Sequence, residues 1–583
     1  MEHLQYIIVG AGPAGLQMAY FMERAGHRYS VLEAAPVPGA FFQTQPRHRM
    51  LLSLNKRFNG FPEQEFNMRH DWNSLLSEEG SPLFRDYSED LYPKADDYVR
   101  YLADFAVQHQ LRIRYNTRVA SITRDAQGLF VISDADGNQW SCDRVIMGTG
   151  ACAPFMPSDI DGIECAAGYE DHDIDPALYE NKTVLIIGRG NSAFEVANHL
   201  AGRAAIIHVA IGNRPIQLAW ETHFAGHVRS INNTMLEMFH VKALHGALGL
   251  CVRKLRRTDD GGYDVVAEEE VPHWREPGML ELQLHYDHVI RCTGFKYVTP
   301  ELFGDELRPE SCKKNKYPVL DSAWQSSVPE LYYVGPSMGV RDKQAASSFI
   351  HGFRYNIRAL FRLLEHRYHG KELPHTEYPL QSASDLEQLA SALLERLSNT
   401  AALYQQFGVL CDVLVFEDGR CTVFHELPVA YVLEQARFSS HANIIVVNFE
   451  YGFKQYPQGT NPLSFITQSD EASSRRCAAF LHPAFRHYRN GQLVEEDNLG
   501  DSLTLRYSRH RVHNVMQTHE PMTDDVERNT VMNIINRASN TTSEVFSETV
   551  HLVNHAFRPW PKDRPLDTRG LPRCPISEPE AAE

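Results

Sequence analysis

With 583 residues, 43% of them hydrophobic and 22% charged, the chain has the composition of a soluble globular protein and exceeds what one core usually serves, so two or three packed units are expected. A formal charge of -17 and a pI near 5.9 argue against a nucleic-acid partner, which needs a concentrated basic face. No stretch approaches the roughly 20 apolar residues that span a bilayer, and the ten scattered cysteines show neither a C-x-x-C pair nor zinc-like spacing, so no membrane, dithiol centre or metal is expected.

Met1 to Gln5 lead straight into a strand without a basic n-region or an apolar h-region, and cytoplasmic residence is the expectation. Tyr6 to Val9 is an apolar run suited to a buried parallel strand, Gly10-Ala11-Gly12-Pro13-Ala14-Gly15 follows it, Leu16 to Ala25 predicts a helix stopped by Gly26, and Tyr29 to Glu33 predicts the next strand. In this βαβ unit Gly10 permits the tight turn, Gly12 lets backbone approach a pyrophosphate and Gly15 lets helix pack on strand. The helix N-terminus offers unpaired N–H groups. Glu33 ends the second strand, where its carboxylate can accept hydrogen bonds from a ribose.

Thr183 to Ile187, Gly188-Arg189-Gly190-Asn191-Ser192-Ala193, Phe194 to Leu200 and Ala205 to Val209 repeat the plan. Ala193 stands in the third glycine place, which the packing role tolerates. No acid follows the second strand, whereas Arg214 is available for a 2'-phosphate, so NADPH is expected over NADH. Asp143 to Gly150 and Asp287 to Gly294 match in phase, each a strand leaving one domain for the other.

The expected architecture is α/β: an FAD-binding Rossmann-like domain at 1–157 and 287–372, an NADPH-binding Rossmann-like domain inserted at 158–286, and a C-terminal α+β region at 373–583. Leu331 to Gly335 predicts a late parallel strand and Ala345 to His366 the helix after it. Leu386, Leu389, Leu393, Leu394 and Leu397 recur at helical spacing, and Val413 to Phe424 predicts a hairpin turning at Asp418-Gly419. The last dozen residues, rich in Pro and Glu, are expected to be disordered. His482, His487, His510 and His513 match no metal template and are expected at the surface. The C-terminal region is expected to form a cover or a dimerisation surface.

Gly188-x-Gly-Asn-Ser-Ala-x-Glu195 resembles the NADPH motif of flavin-containing and N-hydroxylating monooxygenases, Asp287-x4-Cys292-Thr293-Gly294-Phe295 resembles their D-x4-A-T-G-Y segment, and Pro176-x-x-Tyr179-x-x-Lys182-x-Val184 is similar to the tail of their signature. Their usual G-G-x-W is altered here to Gly39-Ala40-Phe41-Phe42. Longer runs, among them Pro46-Arg47-His48-Arg49, Asn55-Lys56-Arg57 and Arg69 to Ser77, resemble a family of FAD-dependent oxidoreductase-domain flavoproteins associated with degradation in the endoplasmic reticulum. The resemblance implies FAD and NADPH as cofactors. It places Gly39, Phe42, Val119, Gly150 and Gly335 with the FAD glycines, and Thr293 and Gly294 with the NADPH motif.

The resemblance further implies that 55–57 pass near the flavin ring. An Asn55 amide there could donate to a flavin C4a-hydroperoxide, with Lys56 beside it, while Lys56, Arg57, Gln43 and Asn73 could hold substrate. The expected reaction is oxygen transfer from O2 to nitrogen or sulfur of a small amine, amino acid or thiol, leaning to N-hydroxylation. An oxidase or reductase acting on a thiol or protein partner stays open, as does a non-catalytic FAD-containing interaction protein; a homo-oligomer is allowed.

Overall fold

The computed structural model describes residues 1–59, 62–212, 230–270, 278–342, 346–441, 443–451, 481–498 and 525–539. The chain divides into two compact units, Met1–Gly60 with His70–Phe361, and Phe61–Arg69 with Arg362–Glu583.

The first unit starts from β1 (Glu2–Val9), whose Tyr6, Ile7 and Ile8 are fully buried, as an apolar run flanked on both faces requires. Helix α1 (Pro13–Arg24) follows, its proline at a first-turn position where a missing N–H costs nothing. The partners of β1 are β2 (Tyr29–Leu32) and, after β3 (Ile113–Arg114), β4 (Val119–Arg124) and β5 (Phe130–Asp134), the long β6 (Gln139–Met147). The sheet runs β3-β2-β1-β6-β5-β4. Helix α2 (Ala95–Gln108) buries Tyr98, Tyr101, Leu102 and Phe105.

A second sheet is parallel throughout. After β7 (Ala153–Pro154) come β8 (Ala167–Gly168), β9 (Thr183–Ile187), helix α3 (Asn191–Leu200), β10 (Ile206–Ala210), helix α4 (Ser230–His240) and β11 (Gly246–Leu248). Strands β12 (Leu250–Arg257), β13 (Tyr263–Glu270) and β14 (Met279–Tyr286) form an antiparallel sheet, and β15 (His288–Arg291) completes the order β11-β10-β9-β15-β8. Side chains of β9 alternate between two cores: Val184 and Ile186 pack with Phe194, Val196 and Met235, whereas Leu185 and Ile187 pack with Val252, Leu255 and Val265.

Pairing of β15 with β9 corrects the expected boundary at 286/287. The Asp287 carboxylate accepts from the Thr183 N–H at 2.7 Å and hydroxyl at 2.8 Å, which holds its pKa down to about 2 and ties the start of β15 to the start of β9. The second sheet therefore extends through Arg291. The chain then crosses back through β16 (Phe295–Lys296), antiparallel to β7. A short ribbon of β17 (Ser311–Cys312) and β18 (Tyr317–Pro318) precedes β19 (Leu331–Tyr333), which lies parallel on β6 as the sequence predicts. The helix predicted at 345–366 is α5 (Ile350–His369).

The second unit contains a six-stranded sheet made from β20 (His375–Pro379), β21 (Leu410–Glu417), β22 (Arg420–Pro428), β23 (Ile444–Tyr451), β24 (Leu481–Arg489) and β25 (Gln492–Asn498), in the order β20-β22-β21-β23-β24-β25. The β21–β22 hairpin turns at Asp418-Gly419 as predicted. The leucine stripe is the buried face of α6 (Ala383–Asn399), whose start carries a capping box of Ser382 and Asp385. Helices α7 (Ala401–Gln405) and α8 (Asp525–Ser539) follow.

Two expectations for this region change. The unit begins at Arg362 rather than 373 and recruits Phe61–Arg69, because Arg69, 1% exposed, donates Nε to the Thr400 carbonyl at 2.9 Å and an Nη to the Leu397 carbonyl at 2.8 Å, capping α6. Glu65 accepts the Ala401 N–H at 2.9 Å. His482 and His487, expected at the surface, are buried in β24, where His487 Nε2 meets Asn443 Oδ1 at 3.2 Å. His510, His513 and the C-terminal tail lie outside the described residues.

Candidate dinucleotide sites and their crossover

Both glycine turns close by contact. A methyl group at Gly15 would stand 1.9 Å from the Gly10 carbonyl oxygen, and one at Gly10 would stand 2.8 Å from that of Gly148, so the α1 turn fits only without side chains. Gly12 differs. It is the extended residue before α1, and a side chain there would meet nothing within 4 Å. That open space over the N–H groups of a helix start is the shape a pyrophosphate fills. Pro13 and Ala14 begin the helix, and Gly335 passes Ala14 so closely that a methyl group would sit 2.8 Å from the alanine Cβ. Glu33 accepts the Ala11 N–H at 2.6 Å and the Ala35 N–H at 2.8 Å, which fixes its carboxylate at the strand end where a ribose is expected. Gly39 donates to the Ala11 carbonyl at 2.9 Å, and Phe42 lies edge-on to Tyr98 at 4.8 Å. Val119, the first residue of β4, and Gly150, three residues beyond the end of β6, are half-buried.

The second turn repeats this arrangement. A methyl group at Gly188 would meet the Cys292 carbonyl oxygen at 2.3 Å, while Gly190, extended before α3, again faces open space. Asn191 and Ser192 form the first helical turn, and Ala193 is fully buried, as its packing role demands. Thr293 donates its hydroxyl to the Phe155 carbonyl at 2.6 Å, next to Gly294. Arg214 lies outside the described residues. These cradles fit two dinucleotides.

The family model described as "Pyridine nucleotide-disulphide oxidoreductase" matches residues 7–335, which takes in both turns. The chain belongs to this family. It is 36% identical to "FAD-dependent oxidoreductase domain-containing protein 2" of Mus musculus over 520 residues, covering 84% of this chain and 76% of that protein; the Danio rerio counterpart is 33% identical, with 83% and 76% covered. "Probable indole-3-pyruvate monooxygenase YUCCA3" of Arabidopsis thaliana is 26% identical over 37% of this chain and 49% of its own. Among solved structures, a flavin-containing monooxygenase from Stenotrophomonas maltophilia aligns with 63% of this chain and 99% of its own at 19% identity and a TM-score of 0.46. The protein is an FAD-dependent oxidoreductase of this two-nucleotide family, with FAD and NADPH as its cofactors.

The family name refers to disulphide chemistry, and the cysteines bear on it. All eight described cysteines are free thiols. Cys152, just beyond Gly150 at the start of the crossover, has its Sγ 3.4 Å from Thr149 Oγ1 and 3.2 Å from the Gly150 carbonyl, and burial pushes its pKa up to about 11. Burial also pushes up the Cys292 thiol on the other strand of the crossover. Both are held protonated at neutral pH.

The residues predicted for catalysis and substrate binding do not converge. Asn55, 3% exposed, donates its amide to the Ser88 carbonyl at 2.8 Å and the Asp90 carbonyl at 3.2 Å. Its donor is thus committed to backbone, which corrects the expected role as donor to an oxygenated flavin; its Oδ1 is buried without a hydrogen-bond partner. Asn73 accepts from the Ser53 hydroxyl and donates to the Leu54 carbonyl at 3.2 Å, and it is fully buried, which withdraws it from substrate. Lys56 and Gln43 are exposed, and Arg57 pairs with Glu89 at 2.8 Å.

What the sequence reading passed over is a polar junction between the two nucleotide domains. Glu195 of α3, 8% exposed, accepts from the His48 N–H at 3.0 Å and the Tyr169 hydroxyl at 2.7 Å. The Arg47 N–H donates to that same hydroxyl at 3.0 Å, and an Arg47 Nη donates to the His172 carbonyl at 2.6 Å. The His48 ring stacks on His199 at 4.0 Å, and burial, aided by His199 and His172, lowers its pKa to about 3. The signals were present: Glu195 belongs to the second glycine motif and Arg47-His48 to the run Pro46–Arg49.

Proposed function

We propose that the protein is an NADPH-reduced, FAD-dependent monooxygenase that transfers one atom of O2 to a nucleophilic nitrogen or sulfur of a small molecule. The observation that carries this reading is the state of the crossover thiols. Cys152 is half-buried and Cys292 buried, both are single, and burial raises both thiols, so among the described residues the crossover offers electrons arriving from NADPH no thiolate with which to enter a disulphide relay. Bound FAD supplies the two-electron acceptor for NADPH and the centre at which O2 is activated. In balance, NADPH, a proton, O2 and substrate become NADP+, oxygenated substrate and water.

The chain's part is to bind and orient. The N–H groups beyond Gly12 and Gly190 receive the two pyrophosphates, Glu33 meets a ribose, and the Glu195, Tyr169 and Arg47 contacts tie the NADPH helix to the segment leading towards Asn55. The similarity to a protein named as a monooxygenase supports the same class. N-hydroxylation of an amine is the narrower form of the proposal. Capture of an amino-acid carboxylate by Arg57 is not part of it, because Glu89 already holds that guanidinium.

The test is NADPH oxidation under 18O2 with panels of amines and thioethers, read by product mass. One labelled oxygen per product is expected. Hydrogen peroxide equal to NADPH consumed with every nucleophile would overturn the proposal in favour of an oxidase.

A further inference from the structure

The turn between β17 and β18 holds three consecutive non-glycine residues in the left-handed region: Lys313, Lys314 and Asn315, with φ of 52°, 59° and 59°. Each is an unfavourable conformation for a side-chain-bearing residue. Their effect is to set down Lys316 against the crossover. Lys316 accepts the Tyr297 N–H on its carbonyl at 2.8 Å and donates its own N–H to the Cys312 carbonyl at 3.0 Å, so its backbone is fixed. Its Nζ lies 4.9 Å over the Phe155 ring and 3.0 Å from where a methyl group on Gly294 would stand. Phe155 and Gly294 are themselves joined by an N–H to carbonyl bond of 2.8 Å.

The neighbouring lysines differ from it. Lys314 pairs with Asp159 at 3.2 Å, and Lys313 lies over the Tyr317 ring at 4.9 Å. Lys316 is half-buried, and no acid pairs with it among the described residues. Burial and the nearby Lys313 lower its pKa, with no carboxylate opposing them. A cation drawn inwards without an anion, in a chain rich in acids, is electrostatically incomplete.

The sheet that ends beside it says which anion completes it. In the order β11-β10-β9-β15-β8 the parallel strands are laid down to opposite sides of β9, so the strand order reverses between β9 and β15, and a dinucleotide lies across the carboxyl ends of strands at such a switch point. The adenosine half lies towards β10, where a ribose-binding acid or a 2'-phosphate-binding arginine is placed in this fold. The other half lies towards β15 and Gly294, beside which the Lys316 amine stands.

We propose that Lys316 is the cation that holds the nicotinamide-side ribose phosphate of NADPH where it leaves the Gly190 turn towards Gly294. This rests on the second cradle binding NADPH and does not depend on oxygen transfer.

The test uses the full chain loaded with FAD, without O2 and without turnover, titrated with NADP+ and separately with 2',5'-ADP, which carries only the adenosine half. Lys316→Met should bind NADP+ about tenfold or more weakly, as loss of a charge-assisted hydrogen bond predicts, with a flatter salt dependence. Its FAD content and affinity for 2',5'-ADP should match the parent protein. Lys316→Arg should keep most of the NADP+ affinity. Lys316→Gln, similar in length and uncharged, replaces the methionine variant should that one fail to fold. Parental NADP+ affinity in a folded, FAD-loaded Met or Gln variant overturns the proposal, and so does an equal loss for NADP+ and 2',5'-ADP.

Discussion

Glu195 and His48 are joined across the two nucleotide domains: the Glu195 carboxylate accepts the His48 main-chain N–H at 3.0 Å. Glu195→Ala removes the acceptor from that N–H and from the Tyr169 hydroxyl, both in a largely buried setting. Two orphaned donors predict a loss of about 2–5 kcal/mol, read as a lower urea midpoint. Tyr169→Phe spares the His48 bond but strands the Arg47 N–H that donates to the same hydroxyl, and should still lose about 1–3 kcal/mol.

His48 sets a pH dependence. The unfolded histidine takes a proton near 6.5, whereas the folded one resists it down to about 3. Stability that depends on neutral His48 is therefore complete above pH 6.5 and is lost as pH falls towards 3. The thermal midpoint should decline from pH 7 to pH 4.5. In His48→Phe, which keeps a ring to stack on His199, that decline should be shallower; an identical pH profile in the variant would contradict the assignment.

Asn55 should behave as a structural residue. Asn55→Asp turns two donors into acceptors that face the Ser88 and Asp90 carbonyls, with an expected cost of about 3–5 kcal/mol. Asn55→Ala leaves two carbonyls to find other donors, at about 1–3 kcal/mol. Differential scanning calorimetry of FAD-loaded protein checks both. A variant with normal stability and abolished oxygen transfer would restore the catalytic reading.

The Gly15 contact predicts the FAD result. An alanine methyl 1.9 Å from the Gly10 oxygen forces α1 away from β1, which overpacking precedents put at about 1–3 kcal/mol. Gly15→Ala should therefore bind FAD roughly 5- to 150-fold more weakly, read from the flavin to protein absorbance ratio after dialysis. Gly26→Ala, at a turn with open space around it, should keep its flavin.

In the second unit, Asp412 accepts from Arg396 Nε at 3.0 Å and from the Glu426 N–H at 2.9 Å, while Glu426 accepts from Arg396 at 2.9 Å and Arg362 at 2.7 Å. Burial opposes ionisation of Asp412, but Arg396 and His425 outweigh it and hold the carboxyl below its usual value of 3.8. That stabilisation is present above pH 3.8 and is lost as pH falls through the lower folded value. Arg396→Met strands two buried carboxylates and should cost about 3–5 kcal/mol at pH 7. Chemical denaturation at pH 7 and pH 3 should show the deficit shrinking at the lower pH, which lies below the unfolded value of 3.8.

The glycine turns were legible because each role needs a small residue at one spacing, and the structure finds a reason in contact or open space at Gly10, Gly12, Gly15, Gly188 and Gly190. The leucine stripe of α6 and the Asp418-Gly419 hairpin were legible from local periodicity and turn chemistry. Ownership of the 288–291 strand was not, since Asp143 and Asp287 begin similar runs whose partners, β1 for one and β9 for the other, are fixed only by pairing in the fold and by the Thr183 bonds. Nor was the fate of Asn73 or Arg57, because a polar side chain in a motif reads alike whether it faces a ligand, a carbonyl or Glu89. Arg69 was hidden by distance along the chain.

That distance has a consequence for how the protein is made. Arg69 meets Leu397 and Thr400, 328 and 331 residues later. At roughly 5–20 residues per second, a ribosome delivers the guanidinium on the order of 15–65 seconds before the carbonyls it caps. Throughout that interval a strongly basic side chain destined for a dry interior must stay hydrated or guarded by a chaperone. A fragment started at Arg362 never receives it, so severing the chain at the apparent border would yield a C-terminal half missing its keystone.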